Sequence, residues 1–165
     1  MNGTVGKLRA LEDLAAECAG WRAQGLRVVL ANGAFDLLHV GHVRYLAAAR
    51  EHGDRLVVAV NSDRSVRQYK GRGRPIVPQS ERVELLGHLC TVDRLVLFDE
   101  PTVAGVLDTL RPAVHAKGTD YTVETVPERE VVRSYGGETV ICGDPKDHAT
   151  TDLIAVILKR FGSPS

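Results

Sequence analysis

Short apolar runs alternate with segments of helical periodicity along most of this chain, and that alternation is the feature that most constrains its fold. The runs that predict strands are Leu26–Ala31, Arg55–Val60, Asp93–Phe98, Ala113–Lys117 and Glu138–Cys142. The segments that predict helices between and after them are His42–His52, Ser80–Leu89, Pro101–Arg111, Pro127–Tyr135 and Thr150–Phe161. Because each strand is apolar on both faces, the pattern predicts a parallel sheet covered by helices on two sides. We therefore expect a doubly wound, Rossmann-like α/β fold of about five strands.

An additional helix is predicted before the first strand. Apolar residues recur there at helical spacing, with polar residues between them: Leu8, Leu11, Leu14, Ala15, Cys18 and Trp21. This amphipathic helix is expected to end near Gly25. With 165 residues the chain has the usual length of a single domain. We expect residues 1–25 to form an N-terminal helical extension and residues 26–162 to form the α/β domain itself.

Charge and cysteine content limit the partners of the protein. The 21 basic residues balance the 21 acidic ones, which argues against a broad nucleic-acid-binding surface and leaves room for a local basic pocket. The three cysteines lack any CxxC spacing, which is typical of a reduced cytosolic protein. The first eight residues do not resemble a leader, and no apolar run approaches the length of a membrane span. We expect a cytoplasmic protein that acts on small molecules, without a nucleic-acid or membrane partner.

The loop from Asn32 to His42 follows the first predicted strand and opens the first crossover helix. In doubly wound sheets ligands bind beyond the carboxyl ends of the strands. Gly33 permits a tight exit from the strand, and Gly41 lets a phosphate approach the N–H groups of the helix start. His39 and His42 are three residues apart, so a helical turn places both imidazoles on one side. The loop therefore predicts a phosphate site with two histidine donors.

The residues of this loop also allow simpler interpretations. The histidine pair is compatible with a polar surface or with half of a zinc site, although neither His115 nor the cysteines show ligand spacing. Phe35 suits either the core or a contact with adenine or ribose. Asp36 suits contact with a donor, a ribose or a metal-bound water, and equally a local cap on the backbone.

The sequence His39-Val40-Gly41-His42 resembles the HxGH signature of the HIGH-type nucleotidyltransferases, and residues 32–42 resemble their whole first loop. The resemblance implies that both histidines bind the phosphates of a nucleoside triphosphate and stabilise charge at the α-phosphorus during in-line attack, without a covalent enzyme intermediate. It also implies nucleotide contacts from the other loop residues, namely Asn32, Gly33, Ala34, Phe35, Asp36 and Gly41. Ala34 stands where relatives commonly carry cysteine.

Later motifs, VNSDxSV, KGxxRPI and KGxDY in that order, are similar to those of the bacterial D-glycero-β-D-manno-heptose 1-phosphate adenylyltransferases, which make ADP-heptose from ATP. The resemblance implies that Lys70 is catalytic and meets phosphate in a mobile basic loop, Lys70 to Pro78. It implies that Arg82 binds nucleotide from the following helix. On the acceptor side it implies Asn61, Asp63 and Arg74 as substrate-binding residues.

Two further motifs are expected to bind the nucleotide. Lys117, Gly118 and Asp120 follow the fourth strand, where a plain turn would also use Gly and Asp. Thr119 replaces the family's usual glycine and is expected to narrow the pocket. At the start of the terminal helix, in the motif His148 to Asp152, the family implies triphosphate contacts from Thr150 and Thr151, whereas Thr150 alone suits a helix cap. In the same motif Ala149 replaces the usual serine.

The resemblance implies ATP as a substrate with Mg²⁺ as cofactor, carried by the triphosphate with no separate protein metal site. Glycerol 3-phosphate cytidylyltransferases share the first loop and the terminal helix, but they carry an arginine shortly before the last motif, and residues 143–147 contain none. A catalytically silent nucleotide-binding or assembly protein is the alternative from another class. We expect a homodimer or a higher homo-oligomer.

Overall fold

The computed structural model describes residues 6–145 and 149–162 and shows one five-stranded parallel sheet. Its strands are β1 (Val28–Gly33), β2 (Arg55–Asn61), β3 (Arg94–Phe98), β4 (Val114–Lys117) and β5 (Glu138–Ile141). They lie in the order β3-β2-β1-β4-β5, and all neighbours are parallel. The predicted doubly wound α/β fold is confirmed. Because the order reverses between β1 and β4, a ligand crevice is expected beyond the carboxyl end of β1.

Seven α-helices and one 3₁₀-helix occur in the described part of the chain. They are α1 (Leu11–Ala23), α2 (Val40–Arg50), α3 (Asp63–Lys70), α4 (Gln79–Gly87), α5 (Ala104–Leu110), the 3₁₀-helix Val123–Thr125, α6 (Arg129–Ser134) and α7 (Thr150–Phe161). None of these described helices combines the length and the apolar character that a membrane crossing requires.

Helix α3 was not predicted, and it corrects the expected position of Lys70. Lys70 is the last residue of this helix rather than part of the loop that follows. The sequence pattern does not indicate this helix, because it is short and carries no apolar stripe; Val66 is its buried apolar residue. A local signal was present in Ser62, whose Oγ accepts a hydrogen bond from the N–H of Ser65 at 3.1 Å and caps the helix.

The core consists of two layers, one on each face of the sheet. Successive β1 residues alternate between them: Val29 and Ala31 belong to the layer that contains Leu46 of α2, and Val28 and Leu30 to the other layer. This explains why the central strands β1 and β2 carry unbroken apolar runs, Val28–Ala31 and Leu56–Val60, rather than an apolar residue at every second position. The second layer also includes Leu14 and Cys18 of α1, so the first helix shares the core of the sheet.

The segment before α1 protects one edge of the sheet. Leu8 forms a parallel bridge with Leu95 of β3, in which the Arg9 N–H donates to the Leu95 carbonyl and the Leu95 N–H to the Lys7 carbonyl, both at 2.9 Å. The expectation that helical structure includes Leu8 was therefore wrong, since α1 begins at Leu11. Backbone pairing with the unpaired edge of β3 overrides the helical spacing of the side chain.

Candidate active site

A cavity of about 610 Å³ opens at the carboxyl ends of the strands. Fifteen of the predicted site residues line it: Asn32, Gly33, Ala34, Phe35, Asp36, His39, Gly41, His42, Asn61, Lys70, Lys117, Gly118, Asp120, Thr150 and Thr151. The volume suits a ligand of nucleotide size. Of the other predicted residues, Asp63, Arg74 and Arg82 lie behind the cavity wall, where they hold its loops together.

The loop after β1 has an unusual backbone. Phe35 and Leu37 adopt positive φ angles of 52° and 50°, a conformation that costs free energy for residues other than glycine. Phe35 is 4% exposed and belongs to the core, and because it also borders the cavity, its contact with adenine or ribose stays a prediction. Its ring meets the His42 ring edge-on at 5.3 Å. A Cβ on Gly33 would lie 3.3 Å from the Phe35 ring, so glycine leaves room for that packing.

His39 and His42 form a stacked pair at the start of α2, with ring centroids 3.8 Å apart. His39 is the N-cap of the helix, and its backbone N–H donates to Nδ1 of His42 at 3.4 Å. Because Nδ1 accepts, the proton of a neutral His42 is assigned to Nε2. Burial, followed by the charges of His39 and Lys70, lowers the pKa of His42 to about 4. His42 is therefore a neutral N–H donor near pH 7.

Asp36 anchors a neighbouring loop rather than facing a ligand. Its carboxylate is 1% exposed and accepts hydrogen bonds from the N–H groups of Ile76 and Val77 and from Nε of Arg74, at 2.6 to 3.0 Å. Burial by itself would raise the pKa of Asp36, but these donors outweigh it and lower the pKa. The geometry favours the local-anchor interpretation of Asp36. The Arg74 guanidinium, predicted to bind the acceptor, joins this ion pair through Nε, and its Nη2 is buried without a hydrogen-bond partner among the described residues.

Arg82 ties three loops together from below the cavity. It is 1% exposed and donates to the carbonyls of Ala34, Asn61 and Val77 and to Oδ1 of Asp63. A buried guanidinium is stable only when its donors are satisfied in this way. Asp63 is occupied as well, since the same Oδ1 accepts the N–H of Gln79. The predicted ligand contacts of Arg82 and Asp63 are thus replaced here by internal ones.

The loop after β4 forms the opposite wall of the cavity. Lys117 is 7% exposed, with Nζ 4.6 Å from the ring centre of Tyr121 and 3.8 Å from Oε2 of Glu128. Burial lowers the pKa of Lys117, and the Glu128 carboxylate opposes that shift. A Cβ on Gly118 would meet open space, so the backbone is accessible there. Thr119 donates its hydroxyl to the Asp144 carbonyl at 2.8 Å and so joins the β4 and β5 loops.

Helix α7 begins at the cavity, and its first residues close one side. Ala149 is the N-cap, so the interpretation of Thr150 as a cap was wrong. Thr150 instead donates its hydroxyl to the carbonyl of Asp36 at 2.7 Å, because the helix start packs directly on the first loop. Thr151 is exposed at the second helical position, where backbone N–H groups lack intrahelical partners. His148 of the predicted motif lies outside the described residues, as do Lys146 and Asp147.

Several cavity residues were not identified from the sequence. Tyr45, Tyr69, Phe98, Pro101, Glu128 and Cys142 are among them. No local pattern marks these positions, since they reach the cavity from different elements. The Cys142 thiol offers no nucleophile near neutral pH, because burial raises its pKa to about 11.

His115 lies under the cavity and orients one of its walls. It is fully buried, and its Nε2 donates to Oδ1 of Asn32 at 3.0 Å. Burial, with a smaller contribution from Lys117, lowers the pKa of His115 to about 3. This bond turns the amide nitrogen of Asn32 away from His115. It also gives a structural role to His115, which the sequence had left as a possible zinc ligand.

The fold and the site together define an α/β protein built to bind a phosphorylated ligand. The sheet is doubly wound, a helix start carries two imidazoles at its switch point, and buried cations surround the cavity there. Comparison with known proteins agrees with this class. The chain belongs to the cytidylyltransferase-like family, whose family model matches residues 30–159. The family recognised from the HxGH loop is thereby confirmed.

The relatives include two proteins named bifunctional protein HldE. The one from Geobacter sulfurreducens is 49% identical over 156 residues, which cover 94% of this chain and 32% of the relative. The one from Caulobacter sp. is 47% identical over 161 residues, or 98% of this chain and 32% of the relative. The chain thus spans about a third of the length of the curated relatives it matches.

A solved structure is also similar. The crystal structure of the lipopolysaccharide core biosynthesis protein from Thermoplasma volcanium superimposes with a TM-score of 0.63 at 30% identity. The similarity covers 74% of this chain and all of that one.

Proposed function

We propose that this domain transfers the adenylyl group of ATP to D-glycero-D-manno-heptose 1-phosphate, giving ADP-heptose and pyrophosphate. The observation that carries the proposal is the stacked pair of His39 and His42 at the start of α2, inside the cavity at the switch point. The motifs that resemble the heptose enzymes support the choice of acceptor. So does the structural similarity to the lipopolysaccharide core biosynthesis protein of Thermoplasma volcanium.

The reaction is an in-line displacement at the α-phosphorus. An oxygen of the sugar 1-phosphate forms the new bond to that phosphorus, and the bond to the bridging oxygen of pyrophosphate breaks. Because a phosphate monoester is already largely ionised near pH 7, the attack requires no general base. His39, His42 and Lys70 would stabilise the charge that develops on the phosphoryl oxygens.

The two walls of the cavity suggest where each substrate lies. The β4 loop and the start of α7, with Lys117, Gly118, Asp120, Thr150 and Thr151, would bind the nucleotide. Asn61 at the end of β2 would face the acceptor. The internal contacts of Asp63, Arg74 and Arg82 support a positioning role for these three residues, through the loops that they hold.

Mg²⁺ would enter with the triphosphate. Within residues 6–145 and 149–162 no three histidine, cysteine or acidic residues cluster as a metal site. The cavity lining also includes the carboxylates of Asp120 and Asp144, the second of which pairs with Arg44, and Mg²⁺ is commonly held by one or two carboxylates together with substrate phosphates. These two residues would hold the ion, directly or through its waters. When bound, the ion neutralises negative charge on the phosphates.

Three broader expectations remain proposals. Residues 26–162 would carry the transferase activity, with residues 1–25 as a helical extension. The domain would act in the cytoplasm on small molecules, without nucleic acid. It would also assemble as a homo-oligomer.

Helix α7 supports the proposal of self-association. Five apolar side chains on it are between 41 and 80% exposed, namely Leu153, Val156, Ile157, Leu158 and Phe161. Three of them are four residues apart, so they lie along one face. The five present about 500 Å² of apolar surface. Two copies packed through this face would bury at most about 1,000 Å², which is the lower size expected of a biological interface. Because the net charge is zero, the copies would not repel one another.

Pyrophosphate release with ATP, GTP or CTP, each paired with heptose 1-phosphate or glycerol 3-phosphate, tests the reaction. We expect the highest kcat/KM for ATP with heptose 1-phosphate. A preference for CTP with glycerol 3-phosphate would assign the chain to the cytidylyl branch of its family. Release with none of the six pairs, although nucleotide binds, would favour a silent binding protein.

A further inference from the structure

Glu128 is a buried carboxylate at the cavity that the proposed reaction leaves without a role. The residue is 5% exposed and borders the cavity beside Lys117. Among residues 6–145 and 149–162 its ion-pair partner is Nζ of Lys117, 3.8 Å from Oε2, which exceeds hydrogen-bond distance. Among the described residues Oε2 has no hydrogen-bond donor. A buried carboxylate oxygen without a donor is costly, so such an atom in a ligand cavity indicates a donor on the ligand.

The chemistry of the carboxylate decides which part of a ligand it suits. An ionised carboxylate only accepts hydrogen bonds, and it repels phosphate. The adenine edge presents a donor beside an acceptor, so it matches one oxygen of a carboxylate and opposes the other. A ribose presents two neighbouring hydroxyls, and both can donate to the pair of carboxylate oxygens.

The position of Glu128 selects the sugar of the nucleotide rather than that of the acceptor. Glu128 lies on the β4 side of the cavity with Lys117 and Tyr121, whereas Asn61 ends β2, and β1 with its histidine-bearing loop lies between these two strands. We propose that Glu128 binds the ribose hydroxyls of the nucleotide and so discriminates ribonucleotides from deoxyribonucleotides. This inference rests on the proposed function, because it takes a nucleoside triphosphate as the ligand of the β4 side.

The test compares nucleotide affinities in the absence of acceptor. Isothermal titration calorimetry would give Kd for Mg-ATP and for its 2′-deoxy and 3′-deoxy analogues. We expect the wild-type domain to bind at least one deoxy analogue about 10-fold more weakly than ATP, as the loss of a hydrogen bond to a charged group implies. In Glu128→Gln that ratio should fall to about 2 or less.

The ratio of two affinities separates ribose recognition from a change of charge. Loss of the Glu128 charge alters phosphate binding equally for ATP and its analogues, so it leaves the ratio unchanged. Glu124→Gln is the matched control, since Glu124 is exposed on the neighbouring 3₁₀-helix and does not border the cavity. Glu128→Asp keeps the charge beside Lys117 but shortens the side chain and withdraws the carboxylate, so the ratio of the deoxy-analogue Kd to the ATP Kd should fall in this variant as well. Glu128→Asp replaces Glu128→Gln in the test if Glu128→Gln does not show a cooperative thermal unfolding transition.

Two outcomes would overturn the inference. One is a wild-type ratio near 1 for both analogues, and the other is a ratio that persists in the Glu128 variants. The proposed reaction is tested by different outcomes from those that test the role of Glu128. Ribose discrimination without transfer to heptose 1-phosphate would reject only the reaction, and transfer with an unchanged ratio in Glu128→Gln would reject only the role of Glu128. If no nucleoside triphosphate binds, both are rejected.

Discussion

Replacing His42 with alanine removes one N–H donor from the start of α2 and leaves the stacked partner His39 in place. The structure gives the charge state of the lost donor. Burial and the neighbouring charges lower its pKa from 6.5 to about 4. At 1.36 kcal/mol per unit, protonation is disfavoured by about 3 kcal/mol, and about one ring in a thousand carries a charge at pH 7. His42 thus acts as a neutral donor that is already oriented by the His39 N–H.

Loss of one oriented donor to a developing oxyanion costs about a hundredfold in kcat. We expect that loss for His42→Ala in the pyrophosphate-release assay with ATP and heptose 1-phosphate. His42→Asn, which retains an N–H donor, should recover part of it. His52→Ala is the matched control, since His52 is exposed just beyond the other end of α2.

The pH profile separates a neutral donor from a charged one. Because His42 stays neutral above about pH 5, the ratio of wild-type to His42→Ala kcat/KM should be constant from pH 5.5 to 8. The second ionisation of the acceptor phosphate affects both proteins equally and cancels in this ratio. An unchanged kcat in His42→Ala, or a ratio that changes tenfold around pH 6.5, would refute the reasoning.

Three further predictions concern stability and assembly. The folded-state pKa of His115 is about 3, below its value of 6.5 in the unfolded chain, so its contribution to stability is complete above pH 6.5 and is lost as the pH falls toward 3. The difference in urea unfolding free energy between wild type and His115→Gln should therefore shrink by about 2 kcal/mol from pH 8 to pH 5, and a constant difference would contradict the lowered pKa. Arg82→Met should lower the free energy of unfolding in the same assay by about 3 kcal/mol or more, because Arg82 is buried and makes four hydrogen bonds. The control Arg67→Met, at an exposed position, should change it by less than about 0.5 kcal/mol. Equal effects of the two substitutions would contradict the role of Arg82. Leu158→Glu should convert a dimer to a monomer in analytical ultracentrifugation while Lys159→Glu does not, and a wild-type protein that is monomeric at about 50 μM would contradict the proposed α7 interface.

The strand pattern and the first loop could be read from the sequence because both depend on neighbouring residues. A strand buried on both faces carries an unbroken apolar run, so the runs within β1 and β2 mark these strands without knowledge of their partners. The carboxyl end of such a strand then indicates where a ligand lies. For this reason Asn32, His39 and His42 could be assigned to one site before any contact was known.

Local propensity was insufficient where a tertiary contact decided the outcome. Leu8 has the spacing of the first helix, but it pairs with the edge of β3. Helix α3 lacks an apolar stripe and is held by the Ser62 cap and by packing of Val66. The first case shows long-range pairing overriding helical spacing, and the second shows a short helix whose local signal, the cap, is supported by the burial of Val66.

The amino-acid sequence by itself determined the motif residues of the cavity, but the remaining lining residues and the division of tasks among them were decided only in three dimensions. A motif shows that Asp36, Arg82 and Thr150 belong to the site, yet each binds a partner elsewhere in the chain, up to 114 residues away in the case of Thr150 and Asp36. Glu128 carries no motif, and its interest lies only in its burial beside Lys117. Hydrogen bonding and desolvation depend on what surrounds an atom, and the packing of helices on a sheet brings together residues whose separation along the chain carries no such information.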